Sequence, residues 1–236
     1  PNTIFILFVI ELILLLLYLY LPSLLDKIQA KDGEVIVKDY VYLNKESIYP
    51  LDDFVLMDTK NIKVADTENN TIRKKYSISM WLFLNNYSTS VAAYNKESLI
   101  FDYGSGNPKI TYFNNDDKQN EIDIYRFYFT NTTAGCGSKN LNYYEVSMPS
   151  QKWNNIVFNY NSTYADLYIN GILERTFYFE KYLPTYNLYD TITIGSDNGL
   201  SGALSNVRYY TKNLSSREII KNYNLLMNKN PPVNNL

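Results

Sequence analysis

The chain of 236 residues contains no histidine and a single cysteine, Cys136. One thiol cannot close an intramolecular disulfide, so a disulfide-stapled secreted domain is excluded, and zinc sites of the usual Cys and His type are excluded with it. A thiol nucleophile at Cys136 has no imidazole anywhere in the chain to activate it. The lack of disulfides fits folding in a reducing compartment. Excess charge of one sign is also missing. The 22 basic and 24 acidic residues are interspersed and sum to −2, which leaves no basic stripe to neutralise phosphates and argues against nucleic acid as a partner.

Tyrosine (24) and asparagine (30) are heavily used. The first suits half-buried strands and the second suits turns. Asn, Ile, Lys and Tyr also share AT-rich codons, so motifs made only of Asn and Tyr carry little weight.

The long apolar run sits at the N-terminal end. Ile4 to Leu25 is 22 residues with Glu11 as its one acid. A helix of that length rises roughly 33 Å, enough for a hydrocarbon core. The run is too long for a signal-peptide core, and neither a basic region before it nor a small-residue cleavage pattern after it is present. A transmembrane helix running through Ile4, Leu14 and Leu25 is therefore expected, with Glu11 facing a partner helix or protonated. Lys27 and Lys31 follow the run and no basic residue precedes it, which favours the remainder on the cytoplasmic side. Sequons at Asn69, Asn86, Asn131, Asn161 and Asn213 would argue for the opposite side if used.

From Glu34 onward the pattern is all-β. Glu34–Leu43 and Phe54–Val64 read as strands. From Tyr76 short alternating runs are separated by Asn, Asp, Gly and Ser clusters, as in a sandwich or barrel and unlike βαβ units. Strands are predicted over Ser77–Leu84, Glu97–Asp102, Lys109–Phe113, Glu121–Thr130, Tyr143–Met148, Trp153–Asn159, Ala165–Ile169, Ile172–Glu180, Thr191–Ile194 and Gly202–Tyr210. Asn170-Gly171 has the chemistry of a two-residue type I′ hairpin turn. One soluble helix is predicted after Ser215, which with Glu218 has capping-box spacing, while Ile219, Ile220, Tyr223 and Leu226 form an apolar stripe. Pro231-Pro232 and sparse apolar content predict an extended tail beyond Asn228.

Three segments together resemble the laminin G-like, concanavalin A-like lectin/glucanase family. Tyr76-Ser-Ile-Ser-Met-Trp81-Leu-Phe is similar to its early tryptophan-bearing core strand. Trp153-Asn-Asn-Ile-Val-Phe158 followed by Ala165-Asp-Leu-Tyr-Ile-Asn170-Gly171 is similar to its central hairpin. Ile194-Gly195 and Gly202-Ala-Leu-Ser-Asn-Val-Arg208, leading to Leu214-Ser-Ser-Arg-Glu218-Ile219, resemble its closing strand and helix. Asn155 stands where the family's W-x-H pattern has histidine. The resemblance, over roughly Tyr76 to Asn228, implies a jelly-roll β-sandwich. The expected organisation is a transmembrane helix (1–25), a connector and first strand (26–43), a laminin G-like jelly-roll domain closed by a short helix (44–228) and a tail (229–236).

The resemblance also raises specific chemistry. Related glucanases carry Glu-x-Asp-x-x-Glu or Glu-x-Asp-x-Glu on a strand, and Glu121-Ile-Asp123-Ile-Tyr125 is its nearest counterpart here. Alternation would place Glu121, Asp123 and Tyr125 on one face. Tyr125 and Arg126 occupy both places where an acid/base carboxyl could fall, so a retaining pair is incomplete. Calcium is the one cofactor the family suggests, with Asp102, Asp197 and Asn198 as candidate ligands and Asp116 and Asp117 of suitable type. The competing reading of all five is turn chemistry. Tyr182, Tyr186 and Tyr189 could supply a sugar platform, although most tyrosines in such a chain are cross-strand packing partners.

The expected role is non-enzymatic. It is a membrane-anchored structural protein docking on neighbouring structural proteins, of the sort large DNA viruses place between an internal membrane and a capsid shell. A lectin-like glycan-binding module is the alternative, and a glycoside hydrolase comes third.

Overall fold

A computed structural model of the chain describes residues 3–30, 33–51, 74–85, 93, 96–115, 122–131, 143–179, 183–187 and 189–233. Side chains are described for these residues except 4, 21–30, 114, 115, 122 and 123. Helix α1 (Thr3–Ala30) belongs to one compact unit and Glu34–Val233 form another.

The apolar N-terminal run is helical, as expected. Its side chains point outward: Phe5, Leu14 and Tyr18 are 66%, 60% and 80% exposed, and Glu11 is exposed among them. Among the described residues, however, no helix is long and apolar enough to cross a membrane. This corrects the transmembrane reading of Ile4–Leu25. The side chains of Ile4 and Leu25 lie outside the described set.

The second unit is a two-layer β-sandwich. In chain order its strands are β1 (Glu34–Tyr42), β2 (Ser47–Pro50), β3 (Tyr76–Leu84), β4 (Ser98–Tyr103), β5 (Lys109–Asn115) and β6 (Ile122–Tyr128). They continue as β7 (Tyr143–Val146), β8 (Asn154–Tyr160), β9 (Tyr164–Ile169), β10 (Ile172–Tyr178), β11 (Thr191–Ile194) and β12 (Gly202–Tyr210), followed by helix α2 (Ser216–Leu226). The first sheet runs β1-β12-β3-β8-β9-β10 and the second β2-β11-β4-β5-β6-β7. Neighbours pair antiparallel throughout.

The core lies between the sheets, where Ile78, Met80, Leu82, Ile156, Phe158 and Leu204 of the first meet Phe101, Ile110, Phe127, Ile192 and Ile194 of the second. At one end five tyrosines gather. Tyr76 stacks on Tyr160 at 4.7 Å and on Tyr209 at 5.5 Å, and meets Tyr103 and Tyr186 edge-on at 5.6 and 5.9 Å. Such pairs add about 0.5–1.5 kcal/mol each beyond their burial, which gives part of the tyrosine excess a packing role.

Strands β3 and β8 are buried along nearly their whole length. One face meets the core and the other lies under α2. Ile219 of that helix packs with Leu214, Val157, Tyr168 and Tyr210, and the Tyr223 ring stacks on Trp81 at 5.7 Å. Trp81 therefore seats the closing helix on the outer face of the first sheet. The predicted capping box is present, with the Glu218 N–H donating to Ser215 Oγ at 3.3 Å and the Ser215 N–H to Glu218 Oε2 at 2.7 Å. Asn170 and Gly171 both take positive φ, 51° and 80°, as a type I′ turn requires.

Strand β2 was not expected. Its four residues carry no usable pattern and are held by pairing with β11. The strand expected over Phe54–Val64 lies outside the described residues. The tail expected to trail from Asn228 instead turns back, and its described part buries Pro232 and Val233.

Candidate functional site

Helix α2 covers only part of the outer face of the first sheet. Beyond it, the register aligns Tyr42 with Ala203 and Ala203 with Phe83. Phe83 in turn meets Trp153, which immediately precedes β8, at 5.4 Å between ring centroids. One row across four strands therefore reads Tyr42, Ala203, Phe83, Trp153. The methyl of Ala203 between two large rings leaves a trough about two strand spacings wide, ~9.6 Å.

Tyr40 flanks Tyr42 edge-on at 5.2 Å, and the two rings are 48% and 59% exposed. Asn85, Ser201 and Asn230 supply polar groups at the rim of a cavity of about 370 Å³. Gly202 forms the floor, where a Cβ would stand 2.4 Å from the Phe83 carbonyl oxygen, so no larger residue fits. The far wall is tied down by the C-terminal segment, since Trp153 Nε1 donates to Asn230 Oδ1 at 2.9 Å. Aromatic walls around a few convergent amides form a surface on which the C–H face of a sugar ring can pack while its hydroxyls reach the rim.

The outer face of the second sheet is built differently. Cross-strand pairing places Thr193, Asp102, Lys109, Tyr128 and Tyr143 in one row, with Thr111, Arg126 and Glu145 in the next. Arg126 bridges Glu97 at 3.2 Å and Glu145 at 2.8 Å and lies over the Phe113 ring. Glu97 also accepts from Tyr128 at 2.5 Å and Thr111 at 2.7 Å. Burial pushes the Glu97 carboxyl up, but the Tyr128 and Thr111 hydrogen bonds with the Arg126 and Lys109 charges outweigh it and hold the group below its usual range. Burial and the Glu97 carboxylate push the Tyr128 hydroxyl well up. The network is largely self-satisfied.

Asp102, a candidate calcium ligand, is half-buried on this face. Burial raises its carboxyl, the Lys109 charge and the Gly106 N–H oppose the rise, and Asp190 adds to it. Asp197 lies in the turn after β11, four residues past the Thr193 that pairs with Asp102. There it accepts from the Glu46 N–H at 3.3 Å, and Asn198 holds the positive φ of a turn at 54°. The structure does not bring Asp102 together with Asp197 and Asn198. Among the described residues no group of three or more metal-ligating side chains occurs, and Asp116 and Asp117 lie outside them.

Of the glucanase-like motif, Glu121 lies outside the described residues and the Asp123 side chain is undescribed. Tyr125 is buried in the core at 1% exposure. Tyr186 belongs to the buried tyrosine group, Tyr189 is exposed, and Tyr182 and Cys136 lie outside the described residues. The sequon residue Asn131 is consumed by hydrogen bonds to Gly104, Thr185 and Asn107. Sequence reasoning did not single out the trough. Its signal was the spacing Tyr40-x-Tyr42, with Phe83 and Trp153 at matching register, which only pairing through Ala203 makes visible.

The family model for the concanavalin A-like lectin/glucanases superfamily matches residues 57–220. The chain belongs to this superfamily. Among solved structures, this superfamily member resembles the ligand binding domain of botulinum neurotoxin serotype D in complex with N-acetylneuraminic acid. That likeness has 17% identity and a TM-score of 0.51 over 81% of this chain and 46% of that one. It also resembles the receptor binding domain of the C/D mosaic serotype (17% identity, TM-score 0.51, 82% and 45% covered). A third is the binding domain of botulinum neurotoxin DC in complex with SialylT (16%, 0.50, 82% and 45%). The chain spans less than half the length of each, and the likeness is one of fold. A search of curated proteins finds no match.

Proposed function

We propose that the domain is a lectin-like carbohydrate-binding module rather than an enzyme, with the trough of Tyr40, Tyr42, Phe83 and Trp153 as its sugar platform. The carrying observation is the open aromatic row across the first sheet, floored by Ala203 and Gly202 and rimmed by amides. It is an arrangement that suits stacking of a sugar ring. Support of a second kind comes from relatives of the same fold seen with N-acetylneuraminic acid or a sialyl compound. The non-catalytic part of the reading draws on Tyr125 and Arg126, one buried and the other tied between two glutamates.

The test is a glycan screen of the full chain and its Tyr42→Ala variant, with and without calcium. Saturable binding to a sugar class, weakened about tenfold by removing one stacking ring, is the expected result. Silence across the screen from folded protein overturns the reading.

A second reading, attachment to a membrane or to neighbouring structural proteins as in a virion, is favoured by one observation. Helix α1 exposes Phe5, Phe8, Leu14 and Leu19, an apolar surface that requires a cover. Flotation of the chain with lipid vesicles, and loss of flotation when residues 1–30 are deleted, tests it.

A further inference from the structure

A second cavity, of about 610 Å³, opens where the lead into β3, the β8–β9 turn and the link from β12 to α2 converge. Its walls carry Lys74, Lys75 and Lys212 together with Asn161, Ser162 and Asn213. We propose that this cleft, at the end of β3 opposite the trough, is a separate site that holds the anionic group of an acidic saccharide, which goes beyond the sugar-binding reading above.

Three lysines line one concavity. Lys212 is partly balanced by Glu218 at 3.3 Å. Lys74 and Lys75 are exposed, and neither is held by a carboxylate among the described residues. With one carboxylate against three lysines, the cleft favours an anion in a chain whose overall charge is −2. The neutral neighbours set the ligand class. Asn161, Ser162 and Asn213 offer amide and hydroxyl groups that match sugar hydroxyls, and the volume suits a small organic ligand better than a bare anion.

The link that carries Lys212 and Asn213 is held from beneath. Ser77 and Asn159 are buried at 0% and 4% exposure. The Ser77 hydroxyl lies 2.5 Å from Asn159 Oδ1 and 2.9 Å from the Lys212 carbonyl, while Asn159 Nδ2 donates to the Leu214 carbonyl at 2.7 Å. These bonds clamp the 212–214 link to β3 and β8. Asn161 Oδ1 accepts from the Ser162 N–H at 2.8 Å and holds the opposite wall. The end of helix α2 takes no part, because Ser215 and Glu218 already occupy it.

The experiment titrates the full chain, in an uncharged detergent lacking a sugar headgroup, with N-acetylneuraminic acid, N-acetylglucosamine and inorganic sulfate. Wild type is compared with the double variant Lys74→Gln, Lys75→Gln and with Tyr42→Ala. Expected is binding of the acidic sugar that the lysine variant weakens about tenfold. That binding falls as salt rises, shifts the amide resonances of Ser162 and Asn213, and leaves the response to the neutral sugar unchanged. Equal acidic-sugar binding by the lysine variant overturns the cleft while leaving the sugar-binding reading standing. Sulfate binding as tightly as the acidic sugar overturns the saccharide class. No binding of either sugar overturns the sugar-binding reading and the cleft with it.

Discussion

Trp153 and Asn230 join through an indole-to-amide hydrogen bond of 2.9 Å, so a residue just beyond the closing helix positions one wall of a trough whose other wall, Tyr42, comes from the first strand. Both ends of the sandwich chain thus contribute to one surface. Asn230→Ala removes the acceptor and leaves the Trp153 N–H to solvent. The expected cost is about 0.5–1.5 kcal/mol of stability, with a shift in tryptophan emission and a severalfold loss of sugar affinity. Denaturant melts and fluorescence titration check both; unchanged affinity with a shifted emission would separate the wall from the binding surface.

The width of the trough depends on Ala203. Ala203→Leu places a branched side chain between Tyr42 and Phe83, in a space open on its outer side. Sugar binding is expected to be lost while the melting temperature moves by no more than a few degrees. A glycan titration paired with a thermal melt reads both quantities.

The capping box predicts a stability effect remote from either cavity. Ser215→Ala removes the acceptor of the Glu218 N–H and should cost about 1 kcal/mol. Because α2 covers Trp81 through Tyr223, local fraying should also raise hydrogen exchange along that helix before the sheets respond.

Glu97 gives the pH dependence. Its carboxyl is held below its usual value in the fold, so the group contributes stability above the unfolded pKa and that contribution is lost as pH falls through the lower, folded value. Stability should therefore decline on acidification below the ordinary carboxyl value of 4.5. With the side chain 35% exposed, solvent screening keeps the effect under about 1 kcal/mol. Glu97→Gln should flatten that part of the profile; urea midpoints between pH 3 and 6, in roughly half-unit steps, decide the matter.

Much of the architecture was legible because its causes are local. Alternation marked β1 and β3 to β12 to within a few residues, Asn170-Gly171 announced its turn through positive φ, and Ser215 with Glu218 announced the helix start. Strand β2 escaped because Ser47–Pro50 is a strand only by virtue of its partner β11. The choice of Asp102, Asp197 and Asn198 as candidate ligands came from residue type alone, and the structure puts Asp102 on a sheet face and Asp197 and Asn198 in the turn after β11. The aromatic trough escaped for the opposite reason. Tyr42, Phe83 and Trp153 are unremarkable singly and become a surface only when Ala203 is placed between them.

The sequence by itself determined the fold class, the strand periodicity, the capped helix, the absence of disulfide and histidine chemistry, and an apolar N-terminal helix, since each follows from short-range patterns of backbone preference and hydrophobic alternation. Tertiary structure alone decided which tyrosines are buried packing and which are exposed platform. It also decided which lysines share a cleft, and which acids are sheet-face network and which turn. Those distinctions depend on register between strands far apart in the chain, and register is set by the sum of core contacts rather than by any segment's own composition.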